Sequence, residues 1–153
     1  MADKLQAMTI EDATNAENAI LNMLLNYPGY PEGFRADNNN IKWNNLNKET
    51  SIGIFPTAGG AVYLKKYVNG SHVGNVTFAI VYRSKVTTNK ASIAAMEVLK
   101  SLAEWLTHCN VGFEDKRYNL RNIVQTSRVY PNSQDINNTD YVVQMQLQYE
   151  FIK

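Results

Sequence analysis

Residues 141–151 read YVVQMQLQYEF, and the alternation in this stretch decides the fold. Tyr141, Val143, Met145, Leu147, Tyr149 and Phe151 fall on one face, while Val142, Gln144, Gln146, Gln148 and Glu150 fall on the other. That period of two is the mark of a strand with one buried side. The polar face carries three successive glutamines and no cation. It suits either a solvated sheet surface or a subunit contact that avoids burying ions.

Working outward, a strand is expected at residues 75–83, where Val76, Phe78, Ile80 and Tyr82 share a face. The opposite residues, Thr77, Ala79, Val81 and Arg83, are small and only partly polar, which predicts a central position in the sheet. Residues 61–68 form the preceding strand, joined to it by NGSHVG, whose Asn-Gly pair favours a hairpin. His72 then sits near the hairpin tip. A short strand at 51–55 and another at 121–130 complete the set, with Thr57-Ala58-Gly59-Gly60 and residues 130–140 read as turns.

Two helices are predicted. The first begins after Thr9, whose hydroxyl caps the free amides, with Glu11 and Asp12 in the first turn where the helix dipole favours anions. Ala13, Ala16, Ile20, Met23, Leu24 and Tyr27 recur at three- and four-residue steps, and Pro28-Gly29 ends the run. The second spans about 88 to 108, burying Ala91, Ala95, Val98, Leu102, Trp105, Leu106 and Cys109 and wetting Glu97, Lys100, Ser101, Glu104 and His108; Gly112 stops it. The order α-β-β-β-α-β-β is that of an α+β domain. It predicts an antiparallel or mixed sheet of about five strands with two helices on one face.

Residues 28–50 form a long arm with two Pro-Gly-type breaks and the cluster Asn38, Asn39, Asn40, Asn44, Asn45 and Asn47. Asn favours irregular chain because its amide bonds to nearby backbone, although the total of 19 Asn also fits codon bias. Yet the arm holds Tyr30, Phe34, Ile41, Trp43 and Leu46, too much apolar surface for a solvated linker. These side chains dock on a neighbour or fold back on their own core.

At 153 residues the chain fits one domain over 1–153. Apolar residues make up 44% and charged residues 19%, a globular balance. The single cysteine excludes an internal disulfide, and a formal charge of +1 gives no cationic excess to hold nucleic acid. The acidic start MADKLQAMTIEDA does not resemble a secretion signal and no apolar run is long enough for a membrane helix, so synthesis in a cytoplasm is expected.

Reactive chemistry is sparse. His108 and Cys109 are helical neighbours that point about 100° apart and cannot form a nucleophile and base by themselves. With His72 the only other histidine, neither a zinc set nor a Ser-His-Asp arrangement is supported. The glycines at 59–60 lack the lysine of a phosphate loop. Residues 114–117, Glu-Asp-Lys-Arg, read as a solvated charge cluster. No catalytic residue, cofactor or metal is expected.

The stretch KKYVNGSHVGNVTFAIVYRSK at 65–85, with the helical pattern Leu99-x-x-Leu102-x-x-Trp105-Leu106, the N-terminal helix and the alternating strand at 141–151, resembles the phage tail terminator family. That family includes proteins often labelled minor capsid proteins in phages of Gram-positive hosts. The resemblance covers most of the chain, but none of its motifs contains a chemically obligatory residue. It implies a homo-hexameric ring that caps the tail tube, stops tube polymerisation and meets the head connector at the tail to neck junction of the virion. Implied partners are the chain itself, the tail tube protein, a head connector or neck protein and, in a contractile tail, the sheath protein. DNA would pass through the lumen without specific binding, and no membrane is involved. A head-completion or connector adaptor of the neck is the competing expectation. Candidate subunit or tube contacts are Tyr30, Phe34, Trp43 and Leu46 of the arm, Lys65, Lys66, Asn69, Gly70, Ser71 and His72 of the hairpin, and Gln144, Gln146 and Gln148 of the last strand.

Overall fold

A computed structural model describes residues 6–30, 41–43, 46, 51–85, 88–109, 113–134 and 138–153. The elements in chain order are α1 (Ile10–Asn26), β1 (Ile41–Trp43), β2 (Ser51–Lys66), β3 (His72–Ser84), α2 (Asn89–His108), β4 (Tyr118–Gln125), β5 (Tyr130–Gln134) and β6 (Thr139–Phe151). Among the described residues six strands form one mixed sheet in the order β1-β2-β3-β6-β4, with β5 also paired to β6. Among these strands β1 pairs with β2 in parallel and the other pairings are antiparallel. This is the α+β architecture expected, with one strand more.

The additional strand and the redrawn boundaries have physical causes. Residues 51–55 and 61–66 belong to a single strand, β2, because Thr57 to Gly60 is not a turn: the register with β3 slips between Pro56 and Ala61 as a bulge. A Cβ on Gly60 would lie 2.5 Å from the Thr57 carbonyl oxygen and 2.8 Å from that of Thr77, so the bulge requires glycine there. The strand expected at 121–130 is two pieces, β4 and β5, which share the same edge of β6. At the switch between them Thr126 donates its backbone N–H to the Gln144 carbonyl at 2.9 Å. Part of the turn expected at 130–140 is therefore strand.

β6 lies between β3 and the β4/β5 pair, and its alternation is realised: Tyr141, Val143, Met145, Leu147 and Tyr149 are buried, while Gln144 is exposed and Gln146 and Gln148 are half-buried. Cross-strand partners such as Phe78 with Met145 and Ile80 with Val143 extend the same apolar face across β3.

Both helices cover that face, since their buried residues join one core cluster with it. α1 starts at the Thr9 cap, whose Oγ1 accepts from the Asp12 amide at 3.3 Å, and buries Ala16, Ala19, Ile20, Met23 and Leu24. α2 is capped by Thr88 and buries Ala95, Leu99, Leu102, Ala103 and Leu106. Leu99 and Ala103 thus lie deeper than the periodicity placed them, and Ala91, Val98, Trp105 and Cys109 sit at the margin. The buried band turns because the sheet holds one flank of α2 while Tyr27, at the end of α1, packs on Trp105 at 5.3 Å. The helix ends at His108, where the Cys109 amide bonds back to Leu106; Gly112 lies outside the described residues.

Candidate assembly interface

The β2–β3 hairpin closes through two backbone bonds, Gly70 N–H to the Tyr67 carbonyl at 3.0 Å and Tyr67 N–H to the Ser71 carbonyl at 2.8 Å. Asn69 turns its Oδ1 to accept from the Ser71 amide at 2.9 Å, and Gly70 takes φ +96, the left-handed region where a side chain is strained. The Asn-Gly pair therefore does what its chemistry predicts. Asn69, Gly70, Lys65 and Lys66 are exposed, and each lysine lies over an aromatic ring: Lys65 Nζ 5.2 Å from Tyr67 and Lys66 Nζ 4.7 Å from Tyr63. Leu64, Tyr67 and Val68 are exposed apolar neighbours, Val68 at 109%.

Ser71 and His72 are a different matter, since both are buried. His72 is not at the tip but opens β3, pairing with Phe151, on which its ring stacks at 4.9 Å. Ser71 Oγ accepts from the Lys153 amide at 3.1 Å, tying the chain's last residues to the hairpin. Extending the alternation of β3 backwards from Val76 through Gly74 places His72 on the core side, a signal the turn-like NGSHVG obscured.

Around His72 is a polar cluster that sequence reasoning missed. Asp12 Oδ1 accepts from the Tyr118 hydroxyl at 2.5 Å, and Oδ2 accepts from the hydroxyls of Tyr63 and Thr9 and lies 3.6 Å from His72 Nε2. His72 Nε2 is also 3.0 Å from the Tyr149 hydroxyl, which reaches Met8 Sδ at 3.6 Å. Burial works against the Asp12 charge, but hydrogen bonds from Tyr118, Tyr63 and Thr9 outweigh it and hold the carboxyl below its ordinary value. Burial lowers the His72 imidazole, with Asp12 opposing and Lys66 assisting. Burial raises the Tyr118 and Tyr149 hydroxyls, and the Asp12 charge raises both further. The groups satisfy one another, so the cluster fastens α1 to the hairpin base. Residues 6–8 add to this seam: Met8 N–H bonds to the Ala61 carbonyl at 3.0 Å, and Tyr63 N–H bonds to the Gln6 carbonyl at 2.8 Å.

The arm divides. Tyr30 is buried in the chain's own core, edge-on to Tyr27 at 5.0 Å with its hydroxyl donating to the Leu24 carbonyl. Ile41 is buried in β1, and Trp43 is half-buried against the core. Phe34 lies outside the described residues. Leu46 is on the opposite, helix-free side, where with Phe55, Ala79, Val81, Tyr130 and Val142 it lines an apolar depression of about 390 Å³. Gln144 forms part of its rim, and Arg83 is held beside it by Asp140 through a two-bond pair at 2.8 and 3.0 Å. The exposed candidate contacts therefore gather in two places, the hairpin tip and the helix-free face, while Tyr30, Ser71 and His72 are interior and Trp43 lies half-buried against the core.

Among the described residues no group of three or more His, Cys, Asp or Glu side chains could hold a metal ion, and no helix is long and apolar enough to cross a membrane. Cys109 is half-buried with its thiol pushed up by burial, away from the reactive thiolate. Asp115 and Arg117 form a surface pair at 2.6 Å that, with backbone help, holds the Asp115 carboxyl at about 2.

No family model and no curated protein matches the chain. Among solved structures, a chain of the virion of a native gene transfer agent particle has the same fold, with a TM-score of 0.63 and 10% identity over 93% of this chain and 99% of that one.

Proposed function

We propose that the chain is a structural virion protein that assembles as a ring on the end of a phage tail tube, stops addition of tube protein and offers its far surface to the head connector or neck protein. The observation that carries this reading is the end-to-end likeness to a virion chain, 93% of one covered by 99% of the other. Such coverage means the two share a whole fold and not a local motif.

The physical features agree with the role. Ring closure needs heterologous contacts, in which one surface of a subunit meets a different surface of the next. The protruding hairpin supplies one such surface, and the helix-free sheet face leaves a further, unlike surface for the tube or the neck protein. Termination also needs a tube-facing side that matches the last tube ring and a distal side that does not, so polymerisation stops for want of a complementary patch. A formal charge of +1 suits a channel through which DNA passes without adhering.

Electron microscopy of the purified protein mixed with tail tubes tests this. The expected image is a single extra ring, of six copies, at one end of each tube. Protein that ignores tubes but binds purified connector would transfer the assignment to a neck adaptor. Subunits sitting singly, without contact between copies, would end both versions.

A further inference from the structure

We propose that the hairpin tip of one copy inserts into a cleft at the C-terminal ends of α1 and α2 of the next copy, making a head-to-tail contact. The inference rests on the ring reading above and names the surfaces that close the ring.

The tip is an apolar protrusion with a cationic flank. Val68 is exposed at 109%, Tyr67 and Leu64 at 41% each, and Lys65 and Lys66 stand beside them without an acidic partner among the described residues. Such a projection is costly to leave in water and is the shape of an inserting element. The cleft is its complement. It is a shallow, wide-open hollow of about 510 Å³ whose lining combines Tyr27, Pro28, Gly29 and Trp105 with Glu104 and His108. Its walls are set: Gly29 lies so close under Tyr27 that a Cβ would approach the tyrosine hydroxyl to 2.3 Å, and Tyr27 leans on Trp105. Glu104 is exposed and forms no ion pair among the described residues, so an incoming lysine meets an available carboxylate beside two aromatic rings.

One molecule cannot satisfy itself. The N-terminal end of α1 is anchored at the hairpin base through Asp12 and Tyr63, and Tyr27 caps the other end. Seventeen helical residues, roughly 25 Å at 1.5 Å each, separate the two. Tip and cleft therefore meet only between copies, and a contact between unlike surfaces closes into a ring or continues as a filament.

The test is a spin label on Val68→Cys in a Cys109→Ser background, mixed with isotope-labelled copies that carry no label. Broadening centred on the Trp105 indole and the Glu104 and His108 amides is expected. Glu104→Lys should weaken association about two- to fivefold, and Lys65→Glu on the same chain should restore it. Broadening elsewhere, or none, overturns the contact. If rings still form on tube ends in that case, the ring reading survives and only the contact falls. If sedimentation and microscopy show no association between copies at all, both fall together.

Discussion

Gly74 shows how one missing side chain sets the geometry of the polar seam. It pairs across the sheet with Tyr149, whose ring lies where a Cβ would be, at 2.4 Å. The ring thereby reaches over the β3 backbone and brings its hydroxyl to His72. Gly74→Ala is expected to cost about 1–3 kcal/mol as an overpacked site, lowering the melting temperature by several degrees in a calorimetric scan. The same seam predicts acid sensitivity. His72 is held below its ordinary 6.5, so as pH falls below that value the unfolded chain takes up a proton before the folded one does. Stability is whole above pH 6.5 and is lost as pH falls through the folded value. Asp12, held below 3.8, adds a second loss as pH falls further, because protonation cancels the bonds that its charge accepts. Urea midpoints measured from neutral to acid pH should show the first loss in the native chain and not in His72→Gln, with the second loss common to both.

Of the two helices, α2 places more side chains at no exposure, Leu99, Leu102, Ala103 and Leu106 against Ala16, Ile20 and Leu24 of α1. Leu99, Leu102 and Leu106 are fully buried against the sheet, so Leu102→Ala should destabilise by about 2–5 kcal/mol in chemical denaturation, depending on how far the cavity collapses. Thr88→Ala removes the 3.1 Å bond from the Ala91 amide that starts the same helix and should cost about 1 kcal/mol. Element identity was readable from sequence where a period was sustained, as in α1, α2, β3 and β6. It failed where pairing overrides local chemistry. The glycines at 59–60 read as a turn, yet β2 runs through them because its pairing with β3 resumes at Ala61, the extra residues being taken up as a bulge opposite Thr77. The arm residues 41–43 became a strand for the same reason, since the outer edge of β2 supplies parallel partners that no local pattern foretells.

At the scale of the whole molecule, the sheet has one face committed to the core and one without helices. Gln144, exposed on the latter, distinguishes the two roles its sequence allowed. Gln144→Glu should leave folding stability within about 0.5 kcal/mol. If that face meets a neighbour, the same change should abolish or weaken ring assembly on tube ends in electron micrographs. Rings formed as readily as by the native chain would assign the face to solvent. Of the candidate contacts, the exposed hairpin lysines and Asn69-Gly70 could be placed from sequence, because turn chemistry acts over four residues. The interior positions of Tyr30 and His72 could not be, because each depends on partners far along the chain: Tyr30 on the packing of Tyr27 against α2, and His72 on Asp12, Tyr149 and Phe151.

The amino-acid order alone determined the α+β class, the Thr9 cap of α1, the hairpin and the two-faced character of β6, since each follows from a local period or a side chain bonding to nearby backbone. The tertiary structure alone decided which strands are neighbours, that β4 and β5 divide one edge of β6, and that Asp12, Tyr63, His72, Tyr118 and Tyr149 converge. Strand pairing and buried polar clusters join residues up to 141 positions apart, as in the bond from Tyr149 to Met8. Their stability arises from the exclusion of water by the complete fold, a condition that no short window of sequence contains.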